Sequence, residues 1–165
     1  MYAENAGLGQ FSGLFLAAYT LPTLIVGWFV GSLTKHFGKK RTAFLGLFIG
    51  SLILSSFFYL PSPIIAIFVI FISSCFISMA LPAINAAYAD YISDAPQVEG
   101  EIEGLEDFAF NVGYVIGPIS AGVLADILGL KVAFSILGLF GAILALILLL
   151  IAPKHILIKT KPSEL

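Results

Sequence analysis

The chain has 165 residues, of which 59% are hydrophobic and 11% are charged, with a formal net charge of −2. A soluble domain is about 45–50% apolar and about 25% charged, so this chain lacks the polar surface that a water-soluble globule needs. The composition therefore excludes a soluble fold and indicates an integral membrane protein whose apolar surface faces lipid. Nothing in the sequence points to a nucleic acid partner.

Five apolar runs follow one another along the chain, at about residues 11–34, 42–60, 64–86, 108–128 and 132–152. Each approaches the roughly 20 residues that a helix needs to cross a bilayer core of about 30 Å. Lipid offers no partners to backbone amides, so a spanning segment is a helix or part of a closed barrel. The runs lack the alternation of barrel strands. The sequence therefore predicts an all-α membrane protein with five transmembrane helices.

A basic cluster separates the first two runs. Residues 35–41, KHFGKKR, hold four of the eight lysines and arginines of the chain. Three more lie in the tail after residue 152, and only Lys131 is expected on the opposite side of the membrane. This asymmetry predicts a cytoplasmic cluster and a cytoplasmic C-terminus, in the plasma or inner membrane. Five spans then place the N-terminus outside, so we expect at least one upstream helix that is absent from this chain.

The segment 87–107 is predicted as the one long connection, on the same side of the membrane as the basic cluster. It is rich in acids just before the fourth apolar run. Acids at this place favour the positive N-terminus of a helix, so capping and solvation are the simplest roles. The alternative is ion pairing with residues 35–41, as a gate of one closed state.

The basic cluster also carries a motif. Its matching residues fit the pattern G-x-L-x-D-R-x-G-R/K-R/K and are Gly31, Leu33, Gly38, Lys39 and Lys40, followed by Arg41. This segment resembles the loop between helices two and three of the major facilitator superfamily, which recurs in weaker form between helices eight and nine. Lys35 and His36 replace the Asp and Arg of the pattern, which puts the family's charge lock in doubt here.

A second motif lies 80 residues further on, in NVGYVIGPISAGVLAD at residues 111–126. Gly113, Gly117, Pro118 and Gly122 resemble the G-x3-G-P-x2-G-G element of helix five and its counterpart in helix eleven. Small residues four apart let helices approach closely, and proline bends a helix. Ordinary small-residue packing would produce a similar pattern in any membrane protein.

The resemblance covers essentially the whole chain, residues 1–165, and implies five helices of a twelve-helix transporter. The weak first motif, the lack of an arginine in 64–86 and the short tail favour helices eight to twelve, the C-terminal half. The missing N-terminal half of the same protein would then be the main partner.

Several residues are candidates for the substrate path, because they form polar stripes on three of the predicted helices at 100° per residue. They are Tyr19, Thr23, Ser74, Ser78, Asn85, Asn111 and Tyr114. Hydrogen bonding to a neighbouring helix is the alternative role for each. Asp126 is a weak candidate for ion coupling, since it lies near a helix end.

The resemblance implies a secondary transporter of a small solute, with proton-coupled efflux of drug-like or amphipathic compounds as the leading expectation. Sugar or metabolite uptake and a non-transporting fragment or scaffold are the alternatives. No catalytic pair or metal-ligand cluster is apparent, so we expect no enzyme activity, catalytic residues, metal or cofactor.

Overall fold

The computed structural model describes residues 12–152, and this part of the chain is a bundle of α-helices without a β-strand. The helices are α1 Ser12–Phe37, α2 Lys39–Ser55, α3 Pro63–Ile77, α4 Ala80–Asp94, α5 Glu99–Leu128 and α6 Leu130–Ile151. Because α3 and α4 form one continuous span from Pro63 to Asp94, the bundle contains five helices long and apolar enough to cross a membrane. The prediction of an all-α membrane fold with five spanning helices is confirmed. The three tail lysines, Lys154, Lys159 and Lys161, lie outside the described residues.

Two glycines make the tight turns between long helices. Gly38 joins α1 to α2 with φ at 85°, and Gly129 joins α5 to α6 with φ at 82°. Positive φ is costly for residues with a Cβ atom but not for glycine. Gly38 is therefore the turn residue of the basic cluster.

The third span is interrupted near its middle, between α3 and α4. Regular α-helical bonding gives way at Ser78 and Met79, where the Met79 N–H donates to the Phe76 carbonyl at 3.2 Å. Pro82 follows in the first turn of α4 and has no N–H to offer the Ser78 carbonyl. The local sequence thus explains the break.

The segment 87–107, expected as a long connection, is helical over most of its length. Helix α4 continues to Asp94 and α5 already begins at Glu99, with a single 3₁₀ turn, Pro96–Val98, between them. Glu99 and Glu101 occupy the first turn of α5, where negative charge is favoured by the helix dipole. The apolar run at 108–128 marked the part of the helix suited to lipid. The helix itself begins at Glu99, about two turns before this run.

Helix α2 is the centre of the bundle, with α6 as its most extensive neighbour and α3, α4 and α1 packed around it. One hydrophobic cluster joins Ala43 of α2 to Val26 and Val30 of α1 and to Ala80 and Ala83 of α4. Most of its members are small, so the helices lie close together.

Glycines allow α2 to approach α3 and α6 closely, because the helix backbones can come into contact where a glycine has no side chain. A Cβ atom added at Gly50 of α2 would lie 2.8 Å from the Ser73 carbonyl oxygen, and one at Gly138 of α6 would lie 2.6 Å from the Ser55 nitrogen. The Ser73 hydroxyl also donates to the Gly50 carbonyl at 2.8 Å. Helix association in lipid depends on such close packing and on hydrogen bonds between helices.

A second set of contacts ties the end of α2 to the start of α6, at the end of the bundle opposite the basic cluster. Phe57 follows α2 and is 1% exposed. The Phe58 N–H donates to the Ser135 hydroxyl at 2.7 Å. Lys131 donates to the Leu60 carbonyl at 2.8 Å. Lys131 therefore satisfies a backbone acceptor where the chain leaves α2.

Helix α5 differs from the other long helices, because none of its residues is buried among the described residues. It lies along α6 and only slightly touches α4. Its apolar and polar side chains are thus almost all on the outside of this bundle.

Gly138→Ala tests the α2–α6 contact. The added methyl group would meet backbone atoms that cannot rotate away, so we expect the free energy of unfolding to fall by about 1–3 kcal/mol. The measurement is unfolding in mixed detergent and SDS, followed by helical circular dichroism.

Gly117→Ala on α5 is the matched control, since its added methyl group meets nothing within 4 Å. We expect this variant to be unchanged or slightly more stable, as alanine favours a helix over glycine. Equal losses in both variants would contradict the proposed packing.

Candidate functional site

Lys39, in the basic cluster, ties α2 to α4. Its Nζ lies 2.6 Å from Asp90 Oδ1 and donates to the Ala86 carbonyl at 2.8 Å. Residues 35–41 thus pair with one acid of the segment 87–107. The acid is Asp90, however, and not one of the carboxylates just before the fourth apolar run. Sequence analysis missed Asp90 because its segment was expected to be a loop.

The other cations of the cluster lie in different surroundings. Lys40 Nζ sits 5.3 Å from the centroid of the Tyr91 ring, a cation–π contact to α4. Arg41 is exposed and makes no hydrogen bond or ion pair within residues 12–152. Lys35 and His36 are exposed in the last turn of α1. We call this end of the bundle, which carries Lys35, His36, Lys39, Lys40 and Arg41, the basic end.

The candidates on α1 and α3 meet at one hydrogen bond. Ser74 is buried, and its hydroxyl donates to the Tyr19 carbonyl at 2.6 Å. The Tyr19 side chain itself is 58% exposed. Thr23 is also exposed, and its hydroxyl donates to the Thr20 carbonyl of its own helix at 2.6 Å. In this conformation Ser74 holds α3 against α1, while Tyr19 and Thr23 present their side chains outward.

The candidates of the broken third span also differ from each other. The Ser78 hydroxyl donates to the Cys75 carbonyl at 3.2 Å, within its own helical segment. Asn85 is exposed, and its carboxamide is assigned from its partners: the nitrogen donates to Glu106 Oε1 and to the Leu81 carbonyl, each at 3.1 Å. The contact with Glu106 joins α4 to α5.

Glu106 is one of the acids just before the fourth apolar run, for which sequence analysis gave capping and solvation as the simplest roles. Its carboxylate lies two turns inside α5 because the helix begins at Glu99. A sequence signal was available: no proline separates residues 99–107 from the apolar run that follows. A continuous helix across this boundary would have placed Glu106 on a helix face.

Asn111 and Tyr114 lie on the exposed α5. The Asn111 carboxamide donates to the Asp107 carbonyl at 2.8 Å, a bond within the helix. Tyr114 is 73% exposed, and its ring centroid lies 5.7 Å from that of Phe110. No other helix in residues 12–152 buries these two polar side chains.

The glycines of the α5 motif face no neighbour in the described part of the chain. A Cβ atom added at Gly113, Gly117 or Gly122 would meet nothing within 4 Å, and the same holds for Gly31 of α1. Pro118 lies inside α5 and removes one backbone bond there. The small-residue motif therefore packs against nothing that the structure describes.

Asp126 is exposed in the last turn of α5, away from the basic end. Within residues 12–152, no three His, Cys, Asp or Glu side chains are grouped so that they could hold a metal ion. The polar side chains found on the outer faces are instead hydroxyl, phenol and carboxamide groups. Such groups can exchange hydrogen bonds with a solute or with another helix.

A bundle of five helices long and apolar enough to cross a membrane defines the class of polytopic membrane proteins. The family model of the Major Facilitator Superfamily matches residues 2–165, and the chain belongs to this superfamily. The expected resemblance to this superfamily is thereby confirmed. The family evidence points to a transporter rather than to an enzyme.

One known protein matches most of this chain in sequence. The chain is 27% identical over 149 residues to an uncharacterized MFS-type transporter of Methanocaldococcus jannaschii, which covers 89% of this chain and 38% of that protein. The chain therefore spans well under half the length of this relative. No solved structure matches the chain.

A double-mutant cycle of Lys39→Gln and Asp90→Asn tests the ion pair at the basic end. The two side chains are 33% and 63% exposed, so water screens their attraction. We expect a coupling free energy of about 0.2–1 kcal/mol in unfolding measurements. The control cycle combines Arg41→Gln with Asp90→Asn. Because Arg41 is not bonded to Asp90, the effects of these two changes on the free energy of unfolding should be additive. Additivity in both cycles would show that the pair is absent in the membrane protein.

Proposed function

We propose that this chain is part of a secondary transporter that moves a small solute by alternating access. The observation that carries the proposal is the exposed α5, whose Asn111 and Tyr114 are polar side chains uncovered on a membrane-spanning helix. Uncovered polar groups are costly in lipid, so they are expected to face a cavity or another helix. Membership of the Major Facilitator Superfamily favours the first of these two surroundings, a cavity for the solute.

In this proposal the bundle is helices eight to twelve of a twelve-helix protein, and a second helical half covers α1 and α5. Gly31, Gly113 and Gly117 have open space where a neighbour could approach the backbone. The relative from Methanocaldococcus jannaschii, of which this chain matches 38%, has room for such a half. The two halves would rock around a site near the middle of the membrane.

The basic end would act as a gate on the cytoplasmic side. Lys39 joins α2 to α4 through Asp90, and Lys40 contacts Tyr91 of the same helix. Both contacts are exposed enough to exchange with water, so they can break without a large penalty. The proposed gate opens when α4 moves away from the start of α2.

We propose drug-like or amphipathic compounds as substrates, with efflux driven by protons. The phenols of Tyr19 and Tyr114 supply flat apolar surface beside a hydrogen-bonding group, which suits such compounds. The segment 100–118, GEIEGLEDFAFNVGYVIGP, resembles the entry into helix eleven of multidrug-type antiporters. The main proton carrier would lie outside this chain. Glu106, which contacts α4 through Asn85, is a better placed secondary candidate than Asp126.

Uptake of a sugar or metabolite is the second candidate. The carboxamides of Asn85 and Asn111 are exposed and are suited to hydroxyl-rich solutes. A non-transporting scaffold is the remaining alternative for this chain by itself.

Transport by everted membrane vesicles distinguishes these functions. The complete reading frame containing this chain is expressed, a proton gradient is built, and its collapse is followed with a pH-sensitive dye. Lipophilic cationic dyes should collapse the gradient, whereas sugars should not. Asn111→Leu should slow the dye-induced collapse of the gradient by about fivefold, because one hydrogen bond to the solute, worth about 1 kcal/mol, is lost.

Ile147→Ala on α6 is the control for Asn111→Leu and should leave the rate unchanged. Proton-coupled uptake would be seen in right-side-out vesicles, where an added sugar should enter together with protons and make the medium more alkaline; that response, without one to the dyes in everted vesicles, would replace efflux by uptake. If neither the dyes nor the sugars give a response although the protein is present in the membrane, the non-transporting scaffold would be the remaining alternative.

A further inference from the structure

Helix α5 is joined to α4 by one polar contact. The carboxamide nitrogen of Asn85 on α4 donates to Glu106 Oε1 on α5 and to the Leu81 carbonyl, each at 3.1 Å. Among the described residues, no other side-chain hydrogen bond joins α5 to another helix, since those of Asn111 and Ser120 stay within α5. The rest of α5 lies along α6. The bond between Asn85 and Glu106 therefore fixes the start of α5 relative to α4.

The charge of Glu106 meets a neutral donor and no cation. Within residues 12–152, no lysine, arginine or histidine forms an ion pair with Glu106, and Lys39 is bonded to Asp90 instead. Helix α6 packs along α5, and its one titratable residue is Lys131, at the opposite end of the bundle. The titratable side chains within five residues of Asn85 on α4 or of Glu106 on α5 are Tyr88, Asp90, Glu101, Glu103 and Asp107. The surroundings of Glu106 thus add negative charge and do not neutralise it.

Glu106 lies where α5 passes from acid-rich to apolar sequence. It is half-buried, whereas Glu103 and Asp107 of the same helix are exposed. Its partner Asn85 precedes Asp90 by five residues on α4, so the contact lies about 7 Å deeper along the helix than the ion pair of the basic end. Ionisable groups that enter a membrane span are costly and usually functional. This position therefore points to a role for Glu106 beyond capping and solvation.

We propose that Glu106 is a proton-dependent tether between α4 and α5. As a carboxylate it accepts a charge-assisted bond from Asn85, and such a bond is roughly twice as strong as a neutral one. When the Glu106 carboxylate takes up a proton from water, only a neutral bond is left, so the start of α5 separates from α4 more easily. By reciprocity, separation of the two helices favours uptake of the proton.

The tether itself is independent of transport, because it requires only the contact between α4 and α5. Its use in coupling rests on the proposed proton-driven efflux, in which α4 moves away from the start of α2 at the gate. In that setting, a proton on Glu106 would free α4 from α5 and so favour the movement of α4.

Hydrogen exchange followed by mass spectrometry tests the tether, with the product of the complete reading frame in lipid nanodiscs at neutral pH. Glu106→Gln imitates the protonated acid, because it keeps the shape of the side chain and removes its charge. We expect the backbone amides of residues 103–110 to exchange about fivefold faster in this variant. Glu103→Gln is the matched control: it removes the same charge from an exposed position of the same helix, and should change the exchange rate less than about twofold. Equal acceleration in both variants, or none in Glu106→Gln, would overturn the proposal.

Asn85→Leu tests the other side of the contact, since it removes the donor and leaves α5 unchanged. It should accelerate exchange of the same amides, and adding Glu106→Gln to it should cause no further acceleration, because both changes remove one bond. Effects that multiply in the double variant would show that Asn85 and Glu106 act separately, and would overturn the tether.

Acidification tests the dependence on a proton. At about pH 3.5, where carboxylic acids are mostly protonated, the unchanged protein should exchange these amides within about twofold of the rate of Glu106→Gln in the same buffer. A difference that stays about fivefold at this pH would overturn the proton dependence. These measurements need no substrate, so the proposed efflux and the tether fail separately: an absence of dye transport would refute the first, and the exchange rates decide the second.

Discussion

The fold depends on the approach of α2 to both of its main neighbours without side chains in between. Gly50 lies against the backbone of α3, and Gly138 of α6 lies against the backbone of α2. In lipid, apolar side chains gain little from meeting each other, so helix association depends on close packing and interhelical hydrogen bonds. The bond from Ser73 to the Gly50 carbonyl belongs to this same contact. With α2 fixed between α3 and α6, α1 and α5 are left at the margins of the bundle.

This arrangement separates a packed part of the chain from uncovered faces. The packed part contains α2, α3, α4 and α6, held at one end by Lys131 and at the basic end by Lys39. The uncovered faces carry Asn111 and Tyr114 on α5 and glycines that meet no neighbour. In the proposed transporter both parts have a role, because a half must move as a unit and still change its contacts with the other half. The third span adds a break at its centre, where α3 and α4 can differ in direction.

Composition and run length predicted the five spans, and two motifs predicted the family, since both depend on local sequence alone. The partners of individual side chains could not be predicted in this way. Ser74 and Asn85 share one arc of a helical wheel, yet Ser74 is buried against α1 while Asn85 is exposed and reaches Glu106. A wheel gives the direction of a side chain but not the neighbour it meets. Glu106 was counted among the acids before the fourth apolar run, because hydropathy shows where a helix enters lipid. It does not show where the backbone hydrogen bonds of that helix begin.

The most direct test of the account is whether α5 faces protein or lipid in the product of the complete reading frame. A bimane fluorophore is attached to a cysteine at Gly117, or at Ile147 on the exposed side of α6, after Cys75 has been replaced by serine. Brominated lipids quench a fluorophore only when acyl chains reach it. The account predicts strong quenching at position 147 and little at position 117. Equal quenching at both positions would show that lipid covers α5, and would contradict a transporter half that packs and moves on this face.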